Sequence, residues 1–196
     1  MMAHIFGYGE DFLTLLAVTK NLGYILHELG DCSSVDECKV FYRPSFGRRG
    51  LYGEFDAIVV TTSAAYLIES KWDNLSDLSG DLKLSKNQLD RHRIIEWIKT
   101  RWKGDDWNTF RKSMDDEFKS EFPGKQLPSS DSILGHNLVT VLKEIGDRRL
   151  ENVLLYFYRK QKPKSPQPEF KLILFRYVTG PSKYIDMDTE LLSPDN

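Results

Sequence analysis

The sequence predicts an α/β protein, a β-sheet flanked by helices, and three observations carry the prediction. Apolar residues recur at helical spacing over residues 8–29 and again over 84–102. Two runs rich in β-branched and aromatic residues, 55–61 and 65–71, stand between them with only a short polar break. Two more such runs, 152–158 and 170–177, come later in the chain. Segments in this order lay helices against the faces of one sheet.

Each element has its own justification. In residues 8–29, Phe12, Leu15, Leu16, Leu22, Leu26 and Leu29 form the i, i+3, i+4, i+7 stripe of an amphipathic helix, and Gly30 is the expected stop. Gly23 offers an earlier end, which would leave 24–29 extended. A short extended run over 39–43 is closed by Pro44. The runs 55–61 and 65–71 then read as a hairpin turning at Thr62-Ser63. Residues 84–102 return to helical periodicity through Leu84, Ile94, Ile95, Ile98 and Trp102. The stretch 104–146 reads as a helical insertion, interrupted by Pro123-Gly124 and Pro128. The last two strands are joined by a Pro- and Lys-rich loop over 160–168, and the whole of 1–196 is expected to be one domain.

Composition narrows the function classes. With 40% hydrophobic and 29% charged residues the chain has the make-up of a globular protein rather than a disordered one. Its apolar stretches fall far short of the roughly 20 residues that span a bilayer. Residues 1–10 lack the basic and apolar regions of a secretory leader, so a cytoplasmic protein with no membrane partner is expected. Cys32 and Cys38 are expected to be free thiols, and no zinc pattern is present. A net charge of −2 argues against a protein that coats nucleic acid. Basic residues nevertheless gather locally, at Lys39, Arg43, Arg48 and Arg49, along 83–103, and at Arg159, Lys160, Lys162 and Lys164.

The chemistry concentrates in the hairpin. Side chains alternate across a strand, so Glu69 and Lys71 share a face while Ser70 points to the other. A turn centred on Thr62-Ser63 sets Asp56 opposite Glu69, with Cβ atoms about 5 Å apart. A loop shifted by one sets Asp56 opposite Lys71 and keeps it on the same side. Two ionised carboxylates so close repel each other unless a cation lies between them. Oxygen ligands favour a hard ion, Mg²⁺ or Mn²⁺, which polarises a phosphoryl oxygen and acidifies a bound water. Beside that water, Lys71 would act as an electrostatic stabiliser or as a general base.

The stretch Gly53-Glu54-Phe55-Asp56, with Glu69-Ser70-Lys71 after it, resembles the D-x(n)-E-x-K signature of the PD-(D/E)XK nuclease superfamily, which includes restriction enzymes, Holliday-junction resolvases and exonuclease domains. Phe55 stands where the signature has proline, a position that ligates nothing. The resemblance covers roughly residues 8–102 and implies a restriction-endonuclease-like fold, a central mixed sheet flanked by helices, with the two carboxylates on adjacent strands. It also implies an acid on the preceding helix, similar to Glu10 with Asp11 as a rival, and a glutamine on the following helix, similar to Gln88. His92 lies where related nucleases often place a tyrosine. The resemblance implies a Mg²⁺- or Mn²⁺-dependent DNA endonuclease, with Asp56, Glu69, Lys71 and Gln88 catalytic and Glu10, Asp56 and Glu69 on the metal. Arg48 and Arg49, in a loop with Gly47, Gly50 and Gly53, are candidates for phosphate contacts, as are Arg91 and His92. Many relatives act as homodimers, although no coiled-coil heptad is legible in this chain. The alternative is a non-catalytic module that binds nucleic acid or a partner and retains the fold.

Overall fold

The stripe over 8–29 folds as two helices, α1 (Gly9–Lys20) and α2 (Leu22–Leu29), in the computed structural model, which describes residues 5–47, 52–73, 82–159, 168–178 and 184–193. The break falls at Asn21, which leaves helical geometry at φ −118°, rather than at Gly23. Little backbone bonding is lost there, because the Asn21 N–H still reaches the Ala17 carbonyl and its own carbonyl accepts from Ile25. As expected, α2 stops at Gly30, whose φ of +69° is a left-handed cap that glycine adopts without strain.

Eight strands succeed one another along the described residues: β1 (Phe6–Gly7), β2 (Lys39–Tyr42), β3 (Ala57–Val60), β4 (Ala64–Trp72), β5 (Arg149–Tyr158), β6 (Lys171–Tyr177), β7 (Ile185–Asp186) and β8 (Leu191–Leu192). β1 and β7 form a small antiparallel pair. The other six make one mixed sheet in the order β2-β3-β4-β5-β6-β8. Its first three strands are an antiparallel meander, β5 and β6 run parallel to β4, and β8 closes antiparallel. The hairpin register runs from Val60↔Ala65 to Ala57↔Ile68, as the alternation of the two runs predicts.

The sheet is covered on both faces. Ala57, Val59, Ala64, Tyr66 and Ile68 pack against Leu13, Leu16, Ala17, Ile25 and Leu26 of α1 and α2. Ile58, Val60, Ala65 and Leu67 point the other way, towards α3 (Lys86–Arg101), α4 (Trp107–Glu121) and α5 (Ile133–Ile145). The segment expected as an insertion is therefore part of the second core. Trp97 of α3 meets Phe110, Phe118 and Phe122, with ring centroids 5.3–6.4 Å apart, and Leu138, Val141 and Leu142 of α5 close the cluster. Each such buried side chain contributes about 1.5–3 kcal/mol to the fold. No helix among the described residues is long and apolar enough to cross a membrane.

One mismatch of strand lengths positions the site. β4 pairs with β5 as far as Trp72↔Phe157, whereas its pairing with β3 ends at Ile68↔Ala57. From Glu69 to Trp72, β4 thus has a strand on one side only.

Candidate active site

Ser70 and Trp72 lie two apart on β4, so their N–H groups point to the same edge, the one that β3 no longer covers. Buried N–H groups need acceptors. Asp56 supplies the first: its Oδ2 accepts from the Ser70 N–H at 2.7 Å. Glu10, in the first turn of α1, supplies the second by accepting from the Trp72 N–H. Continuing the hairpin register one step sets Asp56 opposite Glu69, as predicted. Its backbone carbonyl is held by the Arg43 N–H at 3.1 Å. Two carboxylates thus sit one after the other along a free strand edge, and the charge of Glu10 adds to what raises Asp56.

Lys71 completes this side. Its ammonium lies 3.9 Å from Glu10 Oε1, and about a third of the side chain is exposed. Ser70 faces α1, where its hydroxyl lies 2.7 Å from that of Thr14, itself 2.9 Å from the Glu10 carbonyl. That contact sets the height of the first turn of α1, and with it Glu10, against β4. Asp11, the rival acid, is turned outward to the Arg43 guanidinium at 2.5 Å.

Glu69 faces the opposite helix layer and is fully buried. Three residues of α3 at spacings i, i+3 and i+4 converge on it. Gln88 Nε2 donates to Oε2 at 2.7 Å, Arg91 donates to the same oxygen at 3.2 Å, and His92 Nε2 lies 3.2 Å from Oε1. Arg91 Nε is also 3.1 Å from Oε1 but at an angle unsuited to a hydrogen bond, so that approach is an electrostatic pairing. Gln88 has a second task, because its Oε1 accepts from the Ser85 N–H at 3.0 Å and closes the capping box at the start of α3. His92 is steadied through Nδ1, 2.7 Å from Asn152 Oδ1 on β5.

Electrostatics bear on the two carboxylates at the free edge. Burial, and next the charge of Glu69, push the Asp56 carboxyl up to about 7, against the opposing Ser70 N–H. Burial likewise raises Glu10, with the Lys71 ammonium working the other way. Asp56 and Glu10 are therefore buried carboxylates for which the Lys71 ammonium offsets only part of the cost of ionisation. In this they fit a hard divalent ion, which oxygen ligands suit and whose charge would favour the ionised form of both. Glu69 does not fit in the same way, since both its oxygens are taken by α3. Among the described residues no three acidic, histidine or cysteine side chains converge as a metal cage.

The expected site residues divide accordingly. Glu10, Asp56 and Lys71 meet at the edge of β4, and Glu69, whose charge reaches Asp56, is held by Gln88. Arg91 and His92, expected to face phosphate, are buried against Glu69 instead. They share the inward stripe of α3 with Gln88, and an arginine there is stable because a carboxylate receives it. Arg48 and Arg49 lie outside the described residues. Thr14, Ser70 and Asn152 carry no signal in the sequence, whereas the spacing of Arg91 and His92 from Gln88 links them to Glu69 once Gln88 is placed there. Comparison with protein-family models, with curated proteins and with solved structures gives no match to this chain.

Proposed function

We propose that the chain is a metal-dependent DNA endonuclease of the PD-(D/E)XK type, with a restriction-endonuclease-like sheet, that hydrolyses phosphodiester bonds with an activated water. The observation that most supports this reading is the pair of buried carboxylates, Asp56 and Glu10, aligned on the free edge of β4 beside the Lys71 ammonium. The resemblance asks for the same parts: acids on adjacent strands, an acid on the preceding helix and a glutamine on the following one.

Asp56 and Glu10 would hold Mg²⁺ or Mn²⁺, and Glu69 would join them once Arg91 gives way. Such an ion, when bound, polarises a phosphoryl oxygen and lowers the pKa of water. The protein's own groups do the rest. Lys71, partly open to solvent, presents its positive charge where a phosphate could approach, and favours the extra negative charge that develops on the phosphoryl group. The Ser70 and Trp72 N–H groups fix the orientation of the two carboxylates, so little reorganisation remains when substrate binds. Gln88 acts through Glu69 and is a positioning residue.

Cleavage of supercoiled and branched DNA in Mg²⁺ or Mn²⁺, by the wild type beside Asp56→Ala and Lys71→Ala, tests the reading. The variants should lose at least about 100-fold in rate. Equal rates in all three proteins would end the proposal. One observation favours the alternative of a non-catalytic module, namely that Glu69 already has an internal cation in Arg91. Calorimetry with Mn²⁺ separates the two, because a module without chemistry has no need to bind the ion.

A further inference from the structure

We propose that Arg91 is an internal counter-cation that latches Glu69 in the metal-free protein, so that a divalent ion can recruit this carboxylate only by displacing the guanidinium. This rests on the nuclease reading of the same site.

The contact is a built one. Glu69 is fully buried, where a negative charge needs a partner of opposite sign. The partner is a side chain that is always charged, itself only 10% exposed, with one nitrogen 3.1 Å from Oε1 and another 3.2 Å from Oε2. Its seat is shaped for it. The guanidinium carbon stands 5.4 Å from the centre of the Phe55 ring, with the charge towards the aromatic ring. Gly53, at φ +84°, also leaves room that a side chain would fill, since a Cβ there would come within 3.3 Å of Arg91 Nη1. Phe55 and Gly53 belong to the same short segment that delivers Asp56, so the latch and the free-edge carboxylate are set by one stretch of chain.

The oxygens that a hard cation would need on Glu69 are the ones that Arg91, His92 and Gln88 hold. An ion arriving at Asp56 and Glu10 therefore meets a guanidinium across the third carboxylate, and the two positive charges compete for it. Removing the charge at position 91 should tighten cation binding and loosen the metal-free fold. Keeping the charge on a different side chain should preserve most of the competition.

The probe is Mn²⁺ alone, titrated calorimetrically into wild type, Arg91→Gln and Arg91→Lys, with thermal unfolding of each in chelator and in saturating Mn²⁺. Arg91→Gln should bind Mn²⁺ about tenfold more tightly or better, the range in which groups behind a ligand act on metal affinity. It should also unfold at a lower temperature in chelator and gain more from Mn²⁺, and Arg91→Lys should stay near the wild type. Equal or weaker binding by Arg91→Gln overturns the latch, as does equal behaviour of the two variants. If Arg91→Gln does not fold, the wild type answers: the Arg91 Nε–H resonance should move on saturation with Mg²⁺, and an unmoved resonance overturns the proposal. Wild-type cleavage and Mn²⁺ binding that the variants leave unchanged would remove the latch alone. Absence of both cleavage and Mn²⁺ binding in the wild type would remove the nuclease reading with it.

Discussion

Replacing Asp56 by asparagine should make the protein more stable in alkaline solution and remove a pH dependence that the wild type shows. The carboxyl is raised from 3.8 to about 7 by burial and by Glu69. Each tenfold change in proton affinity is worth about 1.4 kcal/mol, so the fully ionised group disfavours the fold by at most about 4 kcal/mol. Solvent at its partly exposed side screens some of this, and about 2–3 kcal/mol is the expected effect. The sign is set by where the proton sits. The folded state holds it more tightly than the unfolded state, so the contribution is fully present below pH 4 and drains away as the pH rises through about 7. Asparagine keeps a carbonyl oxygen for the Ser70 N–H and has nothing to ionise.

The assay is urea unfolding of both proteins in chelator at pH 5 and pH 8. The wild type should lose about 2 kcal/mol more than Asp56→Asn between the two conditions. Parallel losses would show that ionising Asp56 costs the fold nothing, and would refute the cost of ionisation on which the metal reading leans. A companion measurement carries the same logic to the ion. Because a ligand carboxylate must be ionised, the apparent affinity of the wild type for Mn²⁺ should climb from pH 6 to pH 8, and Asp56→Asn should show little of that climb.

Asp31→Ala should cost about 2–4 kcal/mol in chemical denaturation, since Asp31 accepts from Thr61, Ser63, Tyr66 and the Ser33 N–H at 2.7–2.8 Å. Burial works to raise this carboxyl, and the hydrogen bonds from Ser33, Thr61 and Tyr66 overcome it and hold it below the usual range. Its contribution is therefore present above about pH 4 and lost on further acidification, so the wild type should converge on Asp31→Ala in acid. Gly53→Ala should lower stability by about 1–2 kcal/mol, through its φ of +84° and the crowding of Arg91, and less so when Arg91 is already alanine. Gly135→Ala should cost several kcal/mol in a thermal melt, because its Cβ would fall 1.9 Å from the Ser129 carbonyl oxygen. Ile133→Ser, two residues away and 78% exposed, should change stability by less than about 0.5 kcal/mol.

The hairpin is legible in the sequence because two local signals agree: β-branched runs of the right length, and a period of two that fixes which residues share a face. The break at Asn21 is not legible. The apolar stripe continues through Leu22, Leu26 and Leu29 in phase with α1, and Gly23 is the stronger helix breaker by composition, yet the chain bends at the asparagine. The two-residue strands β1, β7 and β8 are too short to show a period at all. Arg91 reads as a phosphate contact in the sequence because arginine seldom goes inside, and only the arrival of Glu69 from a distant strand reverses that preference.

The free edge of β4 is hidden for a further reason, and it changes how the carboxylates should be weighed. Neither the end of β3 nor the length of β4 is marked by a residue type; the mismatch appears only when the strands pair. Once it exists, Asp56 and Glu10 are needed structurally, because the Ser70 and Trp72 N–H groups would otherwise lack acceptors. Each N–H occupies only one oxygen, and burial still raises both acids, so capping the strand leaves them poised to take a cation. For these two residues a structural and a catalytic role are one arrangement. For Glu69 they compete, because the Arg91 guanidinium that neutralises it in the fold must give way before it can hold an ion.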